Sequence, residues 1–205
     1  MEVETSLDLA RNHDDNVFGS RLVVSVGTLP RLEARVETAV VAFDCPGVVG
    51  AGVGDSLVGF KYRALDESVQ APAVLLAAAV RLPTGDEDRG LGAGDTAVIA
   101  LAALSKTWGA FAVTANAGYA FSVAGRTNDV VIGSVAVERH LAPNWSLLGE
   151  LVALVGMGNQ RDHVIARLGF AWQASKHVRL DGAVATGLGR GSEDLIATVG
   201  ATLRF

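Results

Sequence analysis

Acyl transfer or hydrolysis needs a nucleophile, a base and an orienting polar group within hydrogen-bond reach. The histidines are His13, His140, His163 and His177, all at the ends of alternating segments or in loops, and none stands beside a diagnostic serine motif. The lone Cys45 has no internal disulfide partner and belongs to no Cys/His cluster of metal-ligand spacing. Gly90-Leu91-Gly92-Ala93-Gly94 lacks the Lys-Ser/Thr pair and the following amphipathic helix of a phosphate cradle. Asp86-Glu87-Asp88 offers carboxylates to a divalent cation, yet the same run reads as a solvated loop tip. The sequence therefore predicts no catalytic residue, no metal site and no cofactor.

The remaining ionisable residues follow a period of two. Glu33, Arg35 and Glu37 alternate with Leu32, Ala34 and Val36, and Lys61 and Arg63 alternate with Phe60 and Tyr62. Glu138, Arg179, Asp181 and Arg204 also occupy the polar face of alternating runs. A period of two belongs to strands with one apolar and one polar side.

About twelve such segments fit the chain, at residues 2–10, 17–26, 31–42, 55–65, 71–82, 95–105, 110–122, 129–140, 145–155, 163–173, 177–186 and 195–205. The fifth and sixth are rich in Ala and Leu, but they are uncapped and short for helices. Connections after even segments are mostly short, such as residues 106–109 and 141–144. Those after odd segments are mostly longer, Gly-rich and acidic: 44–54, 83–94, 156–162 and 187–194. That asymmetry predicts a single domain over residues 1–205, an all-β transmembrane antiparallel up-and-down barrel with both termini periplasmic. A soluble up-and-down barrel would show it too.

Composition agrees. Half the residues are apolar, yet no run reaches the roughly 18 residues of a membrane helix. The net charge of −5 carries no basic footprint for nucleic acid. The first residues, Met1-Glu2-Val3-Glu4, lack the basic and apolar regions of a signal peptide, so an exported protein would be represented by a mature or recombinant form.

Alternation alone leaves open whether the apolar face looks inward or at lipid. The aromatics favour lipid. Phe60, Tyr62, Trp108, Phe111, Trp145, Phe170, Trp172 and Phe205 fall near short turns or the C-terminus. Phe18, Tyr119 and Phe121 fall near long loops. Two aromatic rings around a Val, Ala and Leu band are the girdles of a membrane barrel. Phe43 fits poorly, because strict alternation from Leu32 points it inward; a bulge near Val40-Val41 would correct it. The last strand, with Thr198 and Gly200 on its polar face and Leu203 and Phe205 on its apolar face, resembles the C-terminal assembly signal of outer-membrane barrels.

Several stretches resemble a family, the outer-membrane proteins named for the meta pathway of phenol degradation. They are residues 52–63, Leu65-Asp66-Glu67, Arg81-Leu82-Pro83-Thr84-Gly85, Gly90-Leu91-Gly92, Leu104-Ser105-Lys106, Asn116-Ala117-Gly118-Tyr119 and the final strand. Ala64 stands where the resemblance leads one to expect an aromatic. The resemblance implies a β-barrel that passes hydrophobic or aromatic compounds, without a catalytic residue.

Glu33, Arg35, Glu37, Lys61, Arg63, Glu138, Arg179, Asp181 and Arg204 are expected to form an ion-pair constriction in the periplasmic half. Leu75, Ala77, Ala79, Val130, Ile132, Val152 and Leu154 are expected to line a more apolar vestibule toward the long loops. The same charges would also suit a wet pore. The expected partners are outer-membrane lipid, the barrel-assembly machinery and a small apolar solute. The alternative functions are a structural barrel with a plugged lumen and a soluble ligand-binding barrel.

Overall fold

The computed structural model describes residues 1–12, 15–45, 48–123, 128–158, 162–189 and 193–205. His13 lies outside the described residues. The strands are β1 (Glu2–Asn12), β2 (Asp15–Leu29), β3 (Leu32–Cys45), β4 (Val48–Val53), β5 (Ser56–Leu65), β6 (Ala73–Leu82), β7 (Ala97–Trp108), β8 (Phe111–Ser122), β9 (Asn128–Ala142), β10 (Trp145–Gly158), β11 (His163–Ser175), β12 (Val178–Gly187) and β13 (Leu195–Arg204). The Ala- and Leu-rich fifth and sixth segments are strands β6 and β7, as their neighbours' alternation requires.

Each strand pairs antiparallel with its neighbours, and β1 pairs with both β2 and β13, so the sheet closes on itself. β4 pairs with the end of β3 and β5 with its beginning. They are two parts of one barrel strand, joined at Gly54, whose N–H donates to the Ala39 carbonyl at 2.8 Å. The result is a twelve-stranded barrel without a free edge. Both chain ends meet at one rim, where Phe205 N–H donates to the Met1 carbonyl at 2.9 Å.

Two sequence expectations are corrected by the pairing. Residues 44–45 and 48–53 are paired strand rather than loop, with Val49, Ala51 and Val53 alternating with Gly50 and Gly52. No bulge lies near Val40-Val41; the register of β3 against β2 runs unbroken there, and Phe43 points inward. Gly50 makes room for it: a Cβ on Gly50 would sit 2.5 Å from the Phe43 ring.

The link between β5 and β6, residues 66–72, is long for the short-turn rim, and polar clamps fix it. Asp66 accepts a hydrogen bond from Arg31. Glu67 accepts from Thr107 N–H at 2.8 Å and Thr107 Oγ1 at 3.1 Å. Lys106 Nζ lies 3.5 Å from Glu67 and donates to the Val69 carbonyl at 3.2 Å. The Thr107 N–H, helped by Lys106, holds the Glu67 carboxyl below its ordinary value despite some desolvation. A carboxylate depressed in the folded state stabilises it above the unfolded value and loses that effect as pH falls through the folded one. Acidification from neutral to about pH 3 is therefore expected to reduce hydrogen-exchange protection at the Thr107 amide. Unchanged protection would contradict the clamp.

Candidate conduit through the barrel

Strand parity sets what faces the lumen. Around the ring the registers place Glu4, Val23, Glu37, Leu57 and Arg81 on one side of the sheet. Ala97, Ser122, Thr114, Glu138, Glu150, Arg167, Ala185 and Ile196 continue that face on the remaining strands. The opposite parity presents Leu151, Leu168, Val184 and Val199 to the surroundings, each more than half exposed.

The aromatic residues predicted as girdles lie on this outer face. Trp108 pairs with Phe111, and Trp145 with Trp172, at the short-turn rim. The Trp145 and Trp172 rings stack at 5.7 Å, and Phe170 lies 6.0 Å from Trp145. Phe60, Tyr62 and Phe205 share that rim, while Phe18 and Phe121 mark the other. Tyr119 stacks edge-on to Phe121 at 4.5 Å and donates its hydroxyl to Asp129 at 2.8 Å.

Open space is not shared evenly around the inner face. From β3 to β7 long side chains, Arg35, Leu57, Lys61, Leu75, Arg81 and Leu101 among them, alternate with small ones such as Gly59, Ala77, Ala79 and Ala103. From β8 round to β13 the inner face carries many small ones, including Ala112, Thr114, Ala136, Gly169, Ala183 and Gly200. A cavity of about 360 Å³ lies against these later strands and the inner faces of β1 and β2. None of its lining residues belongs to β3–β7.

Ion pairs occupy much of the inner face. Lys61 lies 3.2 Å from Glu33, and Arg35 2.9 Å from Glu37. Arg204 meets Glu2 at 2.6 Å. Arg179 approaches Glu138 at 4.0 Å from three strands away, and Arg167 meets Glu150 at 3.0 Å. Asp181 lines the cavity. Arg63 instead stays at the rim, 65% exposed and 3.9 Å from Asp66 in the turn. Glu2, Arg21, Glu150 and Arg167 share the inward parity as well, beyond the residues expected to form the constriction.

The vestibule expectation is corrected in part. Leu75 is paired with Arg63, Ala77 with Lys61 and Ala79 with Gly59, so these three share the level of the charges. Strand alternation fixes a residue's face, but its height depends on pairing register. Val130, Ile132, Val152 and Leu154 do lie toward the long-loop rim, with Ile132 paired to Leu154. The opposite side of that rim is polar, because Arg81 bonds Asp95 and lies 3.6 Å from Asp55.

Asp55 is the hub of this polar region. Its two oxygens accept from Gly85 N–H at 3.1 Å and Ala93 N–H at 2.9 Å. The link between β6 and β7 is thereby drawn inward, burying Leu91 against Gly52. A Cβ on Gly52 would stand 2.6 Å from Leu91 Cδ1. Arg89 adds a bond to the Ala51 carbonyl at 3.2 Å.

One histidine does meet a serine: His140 Nδ1 and Ser146 Oγ are 3.0 Å apart. Glu138 lies 3.8 Å from the same Nδ1. A triad needs nucleophile and orienting acid on different ring nitrogens, so this arrangement does not provide one. Among the described residues no group of His, Cys, Asp and Glu could hold a metal ion.

The model of the family described as "Putative MetA-pathway of phenol degradation" matches residues 2–205. The chain belongs to that family. In structure it is similar to the COG4313 outer membrane channel from Pseudomonas putida F1, with a TM-score of 0.78 at 15% identity, covering 100% of this chain and 94% of that one. The KdgM porin gives a TM-score of 0.73 at 8% identity, covering 100% and 99%. Outer membrane phospholipase A from Escherichia coli gives 0.55 at 12% identity, covering 99% and 90%. Comparison with curated proteins gave no match. The fold is thus that of porin-like outer-membrane channels, an architecture that also carries an enzyme. The family's short sequence signatures become intelligible in this structure: they supply Gly52, Asp55, Gly85 and Leu91 of the inward link, and Asp66, Glu67 and Lys106 of the clamped turn.

Proposed function

We propose that this protein is a passive conduit of the bacterial outer membrane for small, largely apolar or aromatic solutes, with its termini on the periplasmic side. The observation that carries the reading is the cavity within the barrel, lined by small side chains along β8–β13. The family membership and the apolar, aromatic-bordered outer face support it. Val130, Ile132, Val152 and Leu154 offer an apolar approach from the long-loop rim, and Arg179 with Glu138 narrows the opposite end. The terminal strand, ending in an outward Phe205 paired beside Met1, suits recognition by the barrel-assembly machinery.

A plugged structural barrel is the second reading, favoured by the inward link at Asp55. Reconstitution into planar bilayers separates the two. A conduit is expected to give discrete current steps, and proteoliposomes containing it should admit benzyl alcohol faster than empty ones. Current and uptake no greater than in empty membranes would overturn the conduit.

A further inference from the structure

The charges facing the lumen do not cancel locally. Every inward cation on the described strands has an acidic partner: Arg21 and Arg35 share Glu37, Lys61 has Glu33, and Arg81 has Asp55 and Asp95. Arg167, Arg179 and Arg204 hold Glu150, Glu138 and Glu2, and Arg63 holds Asp66. Of the carboxylates that line the cavity, Glu4, Asp8 and Asp181 have no cationic partner among the described residues.

Their placement is built into one wall. Asp181 and Ser6 are both paired with Gly200, so Asp181 lies in one hydrogen-bonded row with β13 and β1. Glu4 and Asp8 flank Ser6 on β1. Gly200 is the seat of the Asp181 carboxylate, since a Cβ there would stand 2.7 Å from Oδ2. Asp8 accepts from Thr198 Oγ1 at 2.7 Å and Ser6 Oγ at 3.0 Å, neutral donors that leave its charge uncompensated. Two paired cations, Arg21 and Arg167, also line the cavity, each held by a glutamate, so five carboxylates face two cations there; Arg35, Lys61 and Arg81 lie on strands that the cavity does not touch.

We infer that the conduit discriminates by charge, favouring cationic and neutral solutes and repelling anions, carboxylates included, through Glu4, Asp8 and Asp181. This rests on the conduit reading above. Fixed charge facing a narrow, low-dielectric passage focuses the field along it. The screening length is about 10 Å at 0.1 M salt, so the three carboxylates act on ions that enter the cavity they line.

The test is the zero-current potential across a planar bilayer under a KCl gradient. The parent protein is expected to pass K⁺ over Cl⁻ by about threefold or more at low salt. The triple variant Glu4→Gln, Asp8→Asn, Asp181→Asn is expected to lose that preference. Ser6→Lys, which adds a cation to the same row, should shift the potential toward Cl⁻, and it carries the test if the triple variant fails to insert. A conducting parent with no preference, or with preference for Cl⁻, would overturn the inference and leave the conduit standing. A K⁺ preference untouched by the inserted variants would overturn the assignment to this wall. A parent that passes no current would remove the conduit and the inference with it.

Discussion

Asp55→Ala is expected to release the link between β6 and β7 and raise the conductance of the barrel. The substitution removes acceptors from the Gly85 and Ala93 amides and one of the two carboxylates beside Arg81. Hydrogen bonds to a charged acceptor are each worth about 1.5–3 kcal/mol, and this side chain is only 11% exposed. Losing the two amide bonds should therefore cost roughly 3 kcal/mol or more of the link's local stability. Leu91 would lose its place against Gly52, and residues 83–96 would become open to protease. Asp55→Asn should have an intermediate effect, because one oxygen is kept and the amino group faces a second donor. Protease resistance and conductance equal to the parent's in Asp55→Ala would contradict the role of Asp55.

The second large effect concerns the outer face. Arg in place of Leu151 or Leu168 puts a charge in the middle of the apolar band, and is expected to cost about 2–4 kcal/mol. Both residues are more than half exposed on the lipid-facing parity. Thr114→Arg, whose side chain enters the cavity near Glu138 and Glu150, should be tolerated far better. Denaturant unfolding in liposomes, read by the shift of the folded band on heating in a gel, compares them. Equal losses on both faces would show that the assigned faces are wrong.

Why the faces were legible and the heights were not follows from barrel geometry. Period two is a local property, so Glu33, Lys61, Glu138 and Asp181 are all inward as the alternation predicts. Leu75 beside Arg63 is a matter of pairing register, which depends on bulges such as that between Arg63 and Leu65. Nothing in a single strand's pattern reports it. β4 was hidden for a different reason: its inward positions, Gly50 and Gly52, read as loop glycines. They are glycines because Phe43 and Leu91 fill the space a side chain would need. The placement of the aromatics was legible because Trp108, Trp145 and Phe121 sit at strand ends, whereas a soluble core would hold its bulkiest residues mid-strand.

The measurement that bears most directly on the central claim is thiol modification of single cysteines, introduced into a Cys45→Ser background, during bilayer recording. Thr114 lines the cavity, whereas Ala79 lies on the inner face of β6, outside the cavity lining. A bulky methanethiosulfonate reagent is expected to reduce current sharply in Thr114→Cys and little in Ala79→Cys. Block at Ala79→Cys with none at Thr114→Cys would place the path along β3–β7 and contradict a path through the cavity.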